Sequence, residues 1–236
     1  MENRTAWTVR CFSLYNFCGD CQRVDNILFP EVTILALLAS ARLDGMTESA
    51  HCVLTIRHRS KGIPYSGFVR DDGINHGFMV LKGQPKEVIR AVPEASDMPE
   101  LQEALVRLNA SDTLVFTVGC EKAFNCEGEN HWGRGYIEFA INYRELVVDA
   151  QHYFKLFFEF CSRLNAIRFR QPVQYCWELE PAAFTDLKTS GFTATIWITT
   201  AFLPDQAMAR RVFGEALVTL VDFVCSLSAR PLTNLY

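Results

Sequence analysis

What this chain lacks narrows it before anything it contains. No apolar run approaches the length of a membrane span: the longest, VTILALLASA at residues 32–41, is about half of what a bilayer core requires and reads as a buried helix. No block of one charge stands out, and 27 acidic against 23 basic residues leave a net charge of −4, which offers no general attraction to nucleic acid or to an anionic membrane. The start, MENRTAWTVRCFSLYNF, has no basic segment followed by an apolar core and a small-residue cleavage site, so export is not expected and the cytoplasm is the expected compartment. Also missing are a phosphate-cradling glycine loop, a His-Glu-x-x-His pair and a Gly-x-Ser-x-Gly elbow, so no common catalytic signature marks the chain.

What is present reads as a folded domain. Hydrophobic residues make up 49% and charged residues 21% of the 236, the profile of a chain that buries a core; at this length burial alone supports one large domain or two small ones. The cysteines number nine, and most sit inside apolar runs, as Cys52 does before VLTI, Cys161 in FFEFCSRL and Cys225 in DFVCSL. These are expected as reduced, buried thiols. Cys18, Cys21, Cys120 and Cys126 differ, because they lie beside glycines and polar residues.

Periodicity divides the chain into two similar successions. Residues 7–15 alternate as a strand, Pro30 and Glu31 open a helix that Gly45 stops, residues 51–60 read as a second strand, and 65–83 as a hairpin folded near Asp72 and Gly73. A helix over 85–108, broken by Pro93 and Pro99, and a strand over 112–119 close the first half. A polar loop over 120–135 follows, then a strand at 136–143 and a long helix over 144–165. Strands at 166–180 and 191–202 are joined by a connection over 181–190, and a last helix runs from Pro204 to about Ser228. Strand, helix, two strands, helix is the order of a split βαβ unit. The expected fold is therefore α+β, with tandem ferredoxin-like halves, residues 1–120 and 121–236, forming one integrated unit in which helices cover an antiparallel sheet.

The two long helices of the second half leave only a narrow wet stripe, Glu145, Asp149, His152, Lys155, Glu159 and Arg163 in the first of them. A helix lying on a sheet needs one apolar face. The surplus predicts burial against another helix, either within the chain or in a second copy, which would make a homo-oligomer.

The densest chemistry lies in NFCGDCQRVDNILFPEV, residues 16–32. Locally it resembles thioredoxin: CFSLY stands as the strand, NFCGDCQ stands where that family has an aromatic, Cys-Gly-Pro-Cys and a polar or basic residue, and KGIPYSGFV, with Pro64, resembles the segment carrying the family's cis-proline. The resemblance implies a thiol–disulfide oxidoreductase in which Cys18 attacks as the thiolate, Cys21 resolves, and Pro64 sits against the disulfide. Asp20 opposes that chemistry by placing a negative charge between the thiols, and so does a helix that begins at Pro30 rather than at Cys21. The same two cysteines have the spacing of half a zinc site, for which CEKAFNCEGENHW offers Cys120, Cys126 and His131. Apart from that zinc, no cofactor is expected.

Binding surfaces are read from loops and from alternating cations. GCEKAFNCEGENHWGRG is long for a connection in a compact domain, and His131, Trp132 and Arg134 combine base, aromatic platform and cation there. Arg57 and Arg59, and likewise Arg168 and Arg170, alternate along strands, so each pair shares a face and can grip a phosphate or carboxylate. The acidic balance weighs against nucleic acid as the partner. The leading expectation is a soluble, self-associating binding or regulatory protein whose partner is another protein or a second copy, with no membrane partner. The enzymatic alternative is thiol–disulfide exchange. If Cys18 and Cys21 are an active pair, mild oxidation forms one bridge rapidly and Cys18 alkylates below neutral pH; alkylation confined to the ordinary alkaline range identifies structural thiols.

Overall fold

The computed structural model describes residues 50–70 and 73–227. The helix at 30–45, the strand at 7–15 and the Cys18–Cys21 pair lie outside the described residues. Among the described residues, no helix is long and apolar enough to cross a membrane.

The helices stop and start where the backbone chemistry requires. The stretch after residue 85 is α1 (Lys86–Arg90), a single tight turn at Pro93–Ala95, and α2 (Pro99–Leu108), with Pro93 and Pro99 each placed at a helix start, where a missing N–H costs nothing. The expected single helix over 144–165 is instead α3 (Arg144–Val147) and α4 (Ala150–Leu164). Asp149 makes the break: its carboxylate accepts from the Gln151 N–H at 2.8 Å and caps α4. The last helix, α5 (Gln206–Leu227), is capped in the same way by Asp205, which accepts from the Met208 N–H at 2.7 Å.

The strands are β1 (Ala50–Ile56), β2 (Lys61–Ile63), β3 (Phe68–Arg70), β4 (Gly73–Asn75), β5 (Val115–Glu127), β6 (Asn130–Ile141), β7 (Val173–Phe184) and β8 (Thr189–Thr200). β3 and β4 form a separate antiparallel hairpin, as the Asp72-Gly73 turn signal predicts. The others make one sheet in the order β1-β7-β8-β6-β5, with β2 also on β7. β8 is antiparallel to both β6 and β7, so those two run in the same direction with β8 between them and α4 in the crossover. That is one split βαβ unit. The described residues do not form two such halves, because β1 and β2 add to the same sheet parallel to β7, making it mixed, and β5 runs straight through residue 120 where the halves were divided.

Two other expectations change. The polar loop over 120–135 is regular hairpin: β5 and β6 pair as far as Glu127 with Asn130, and Gly128, at φ 61°, turns the corner. Hydrogen bonding of the two arms outweighs their polar composition. The connection over 181–190 shrinks to a turn because β7 continues to Phe184. Pro181 is tolerated there for a specific reason. Leu179 turns its carbonyl toward β1, where it accepts from the Arg57 N–H at 2.8 Å, so Pro181 faces the same side. The parallel ladder would next need that N–H to donate to the Arg57 carbonyl; proline has none, β1 ends at Ile56, and pairing resumes only with β2 at Ala182.

The core lies on one face of the sheet. Tyr175, Trp177, Ile196, Ile198, Ile137 and Phe139 share that face through their register and are all buried. Phe157 and Phe160 of α4 pack their rings on Trp177, and Phe160 also meets Phe223 of α5 at 5.2 Å between ring centres. The Trp177 indole N–H has no hydrogen-bond partner among the described residues. Val212, Phe213, Leu217, Leu220, Val221, Phe223 and Val224 of α5 are buried within the chain, so packing inside one copy accounts for most of the apolar surplus.

One residue stitches the layers where the sheet frays. β6 and β8 pair through Phe139 with Ala194, and the next bond would join Ile141 to Phe192. The Tyr153 hydroxyl from α4 is inserted there, accepting from the Ile141 N–H at 3.1 Å and donating to the Phe192 carbonyl at 2.6 Å. Tyr153→Phe should leave two backbone groups unsatisfied and cost about 1–3 kcal/mol, read as a Tm several degrees lower in thermal denaturation. An unchanged Tm would mean that the strands close the gap unaided.

Candidate functional site

Strand β5 is an edge of the sheet among the described residues, and its outer side is met by side chains rather than by another strand. The Thr117 N–H donates to Asn109 Oδ1 at 3.0 Å, the Val118 carbonyl accepts from the Tyr65 hydroxyl at 3.0 Å, and the Val115 carbonyl accepts from Lys82 Nζ at 2.9 Å. The register slips between Thr117 and Gly119, a bulge. A Cβ at Gly119 would stand 3.1 Å from the Tyr65 hydroxyl and 3.6 Å from a ring carbon of Tyr136. Glycine at this bulge lets the two tyrosines converge on the strand.

Beside that bulge is a cleft of about 220 Å³. Its walls are β5, Tyr136 of β6, the segment from Tyr65 to Leu81 and the turn carrying Glu94. Met79, Leu81, Val92 and Leu105 make its apolar part, and Glu94 and Glu121 its charged part, while no lysine, arginine or histidine lines it among the described residues. Burial, with Glu94 nearby, pushes the Cys120 thiol up to about 12. Burial first, then Glu121, raises the Tyr136 phenol. Near the mouth, His76 Nδ1 meets Glu94 at 2.7 Å.

Tyr136 joins the cleft to the sheet face opposite the helices. Across that face, Glu178 of β7, Thr195 of β8 and Glu138 of β6 stand in one row, and Cys176, Trp197, Tyr136 and Glu121 in the next. The charges there are matched. Lys61 pairs with Glu138 and, at 2.8 Å, with Glu180; Arg57 pairs with Glu178 at 2.7 Å, and Glu178 also accepts from the Trp197 indole N–H at 2.9 Å. Arg134 lies over the Trp197 ring at 4.8 Å, and the rings of Trp197 and Tyr136 are 4.7 Å apart.

The residues singled out from sequence are only partly gathered. Arg134 and Arg57 both reach this face, but Arg57 is held by Glu178, and Arg59 lies beyond β1 on an exposed irregular stretch. Arg168 and Arg170 are exposed on a non-strand segment before β7, with Phe169 buried between them. Trp132 packs against Phe202 at 5.2 Å rather than standing as a platform, and the His131 backbone bridges to Leu203.

The zinc expectation meets a geometric obstacle. Cys126 and His131 face each other across the hairpin, Sγ to Nε2 3.8 Å, but Cys120 lies six residues along the same strand, roughly 20 Å away at 3.4 Å per residue. One ion cannot reach both cysteines. Among the described residues no group of three or more His, Cys, Asp or Glu side chains could hold a metal. The Ile63–Pro64 bond is cis, while its thioredoxin-like counterparts, Cys18 and Cys21, lie outside the described residues.

Sequence reasoning missed Glu138, Glu178, Glu180, Glu94 and Tyr65. A signal existed for the first three: YIEFAI and WELE place glutamates at alternate positions in otherwise apolar strands, on the face that the core does not use. No such pattern marks Tyr65 or Glu94. Compared with protein families, curated proteins and solved structures, the chain matches none of them.

Lys61→Met should leave Glu138 and Glu180, both largely buried, without their shared cation and destabilise the fold by about 3 kcal/mol in denaturant titration. A loss below about 1 kcal/mol would mean that solvent supports these carboxylates.

Proposed function

We propose that this protein works by binding a small molecule in the cleft between β5 and the segment from Tyr65 to Glu94, and that it does not act there as a catalyst. The observation that carries the reading is the concavity itself, a half-open cleft beside the β5 edge in which the polar groups of Tyr65, Asn75, Glu94, Glu121 and Tyr136 adjoin a smaller apolar wall of Met79, Leu81, Val92 and Leu105. Catalysis is disfavoured by the groups present. Cys120, the cysteine lining the cleft, is pushed up to about 12 and is a poor nucleophile at neutral pH. Cys126 and His131 come near each other only at an exposed hairpin turn that cannot exclude water.

Self-association is a second reading, supported by Phe158 of α4 at 51% and Val218 of α5 at 41% exposure, apolar residues that packing among the described residues leaves uncovered. It needs much less surface than the helix patterns implied, and sedimentation at micromolar concentration tests it. For the binding reading, a small-molecule library screened by NMR against the full chain is expected to yield ligands that shift the Met79 methyl and Tyr136 ring signals. Ligands that map elsewhere, or none at all, would overturn it.

A further inference from the structure

We infer that Cys52 of β1 and Cys161 of α4 are a peroxide-responsive pair of thiols, whose oxidation to a disulfide pins β1 to the helix packed on it. The inference is separate from the cleft, which neither residue lines. Both thiols are free and buried. The strand register places Cys52 beside Tyr175, and Phe160, the chain neighbour of Cys161, packs its ring on Tyr175 with 5.0 Å between centres. The two cysteines therefore meet where α4 passes over β1, and there the Cys52 thiol donates a hydrogen bond to the Cys161 sulfur. That bond, with burial adding to it, holds the Cys52 thiol well above its ordinary range, and it favours Cys161 as the thiolate. Cys176 lies on the adjoining strand, but its register position, next to Tyr175, turns it to the opposite face of the sheet.

A donor sulfur touching an acceptor sulfur suits a two-step oxidation by hydrogen peroxide. In the first step the Cys161 thiolate attacks the peroxide: an S–O bond forms, the O–O bond breaks, and the departing hydroxide takes up the proton that the Cys161 thiol released. Cys161, at 7% exposure against 3% for Cys52, is also the less enclosed of the two. In the second step the Cys52 sulfur attacks the Cys161 sulfenic acid: the S–S bond forms, the S–O bond breaks, and the hydroxide leaves with the Cys52 proton. Two thiols and one peroxide become one disulfide and two waters, the two electrons passing from sulfur to the peroxide oxygens. From hydrogen-bond contact the sulfurs have only to close to about 2 Å. The bridge spans on the order of 100 residues, so it restricts the unfolded chain strongly. It also fixes β1, an edge strand among the described residues, just ahead of Arg57 and Lys61, the cations that pair with Glu178, Glu138 and Glu180.

The test takes the full chain, reduced and then freed of reductant, and treats it under native conditions with hydrogen peroxide in slight excess. Remaining thiols are alkylated and the digest is mapped by mass spectrometry. The expected result is a Cys52–Cys161 cross-linked peptide and a Tm about 10 °C above that of the reduced chain, both reversed by reductant. Cys52→Ala removes the second thiol, so peroxide should leave Cys161 as a sulfenic acid that dimedone labels and should no longer raise the Tm through this pair. The map of the unsubstituted chain decides the bridge whether or not the variant folds. Recovery of both cysteines as alkylated thiols after peroxide, or a bridge from either to a different cysteine, overturns the pair. A Cys52–Cys161 bridge that leaves the Tm unchanged, or a rise in Tm that persists in full in Cys52→Ala, overturns its role in pinning β1.

Discussion

The described fold depends on one dry interface, the packing of α4 and α5 on a single face of the sheet around Trp177. Phe139 from β6 and Phe157 and Phe160 from α4 surround that indole, and Tyr175 ties the same strand to α5 by donating from its hydroxyl to the Ala216 carbonyl at 2.9 Å. Burying one large aromatic side chain contributes on the order of 2–3 kcal/mol, so this cluster outweighs most polar contacts in the molecule. It also sets the register. A slip of one residue along β7 would turn Tyr175 and Trp177 out and Cys176 and Glu178 in.

The polar face follows from the dry one. Once alternate residues are committed to the helices, the intervening positions must face the other way, and in β6 and β7 those positions are Glu138, Glu178 and Glu180. Their carboxylates are only slightly exposed, so they require partners, and Lys61 and Arg57 provide them from the β1–β2 segment. Such pairs contribute little net stability against their desolvation cost but penalise wrong arrangements, because a displaced Lys61 would strand two carboxylates. The parallel addition of β2 to β7 is what carries Lys61 to that position.

The edge of the sheet generates the cleft. An edge strand must have its outward N–H and C=O groups covered, and here Asn109, Tyr65 and Lys82 cover those of β5. Tyr65 can reach because the bulge at Gly119 opens the strand toward it. The segment that protects the edge thereby becomes one wall of the cleft.

The sequence by itself determined the broad class and much of the local structure. Proline placed the breaks around Pro93 and Pro99, and Asp72-Gly73 marked the hairpin, because these effects act over a few residues and need no tertiary context. Alternation identified the strands near 136 and 191 for the same reason. Strand length was less legible: the arms at 120–135 look polar because a two-stranded tip extends past the core, and cross-strand hydrogen bonding decides such a segment. Sheet order, the parallel placement of β1 and β2 and the bringing together of Tyr65, Glu94, Glu121 and Tyr136 were decided only by the tertiary structure. Those residues are separated by tens of positions and lie on different elements, and no local periodicity encodes which strand edges meet. Which face of the sheet is dry was written in the chain; what assembles along its edge was not.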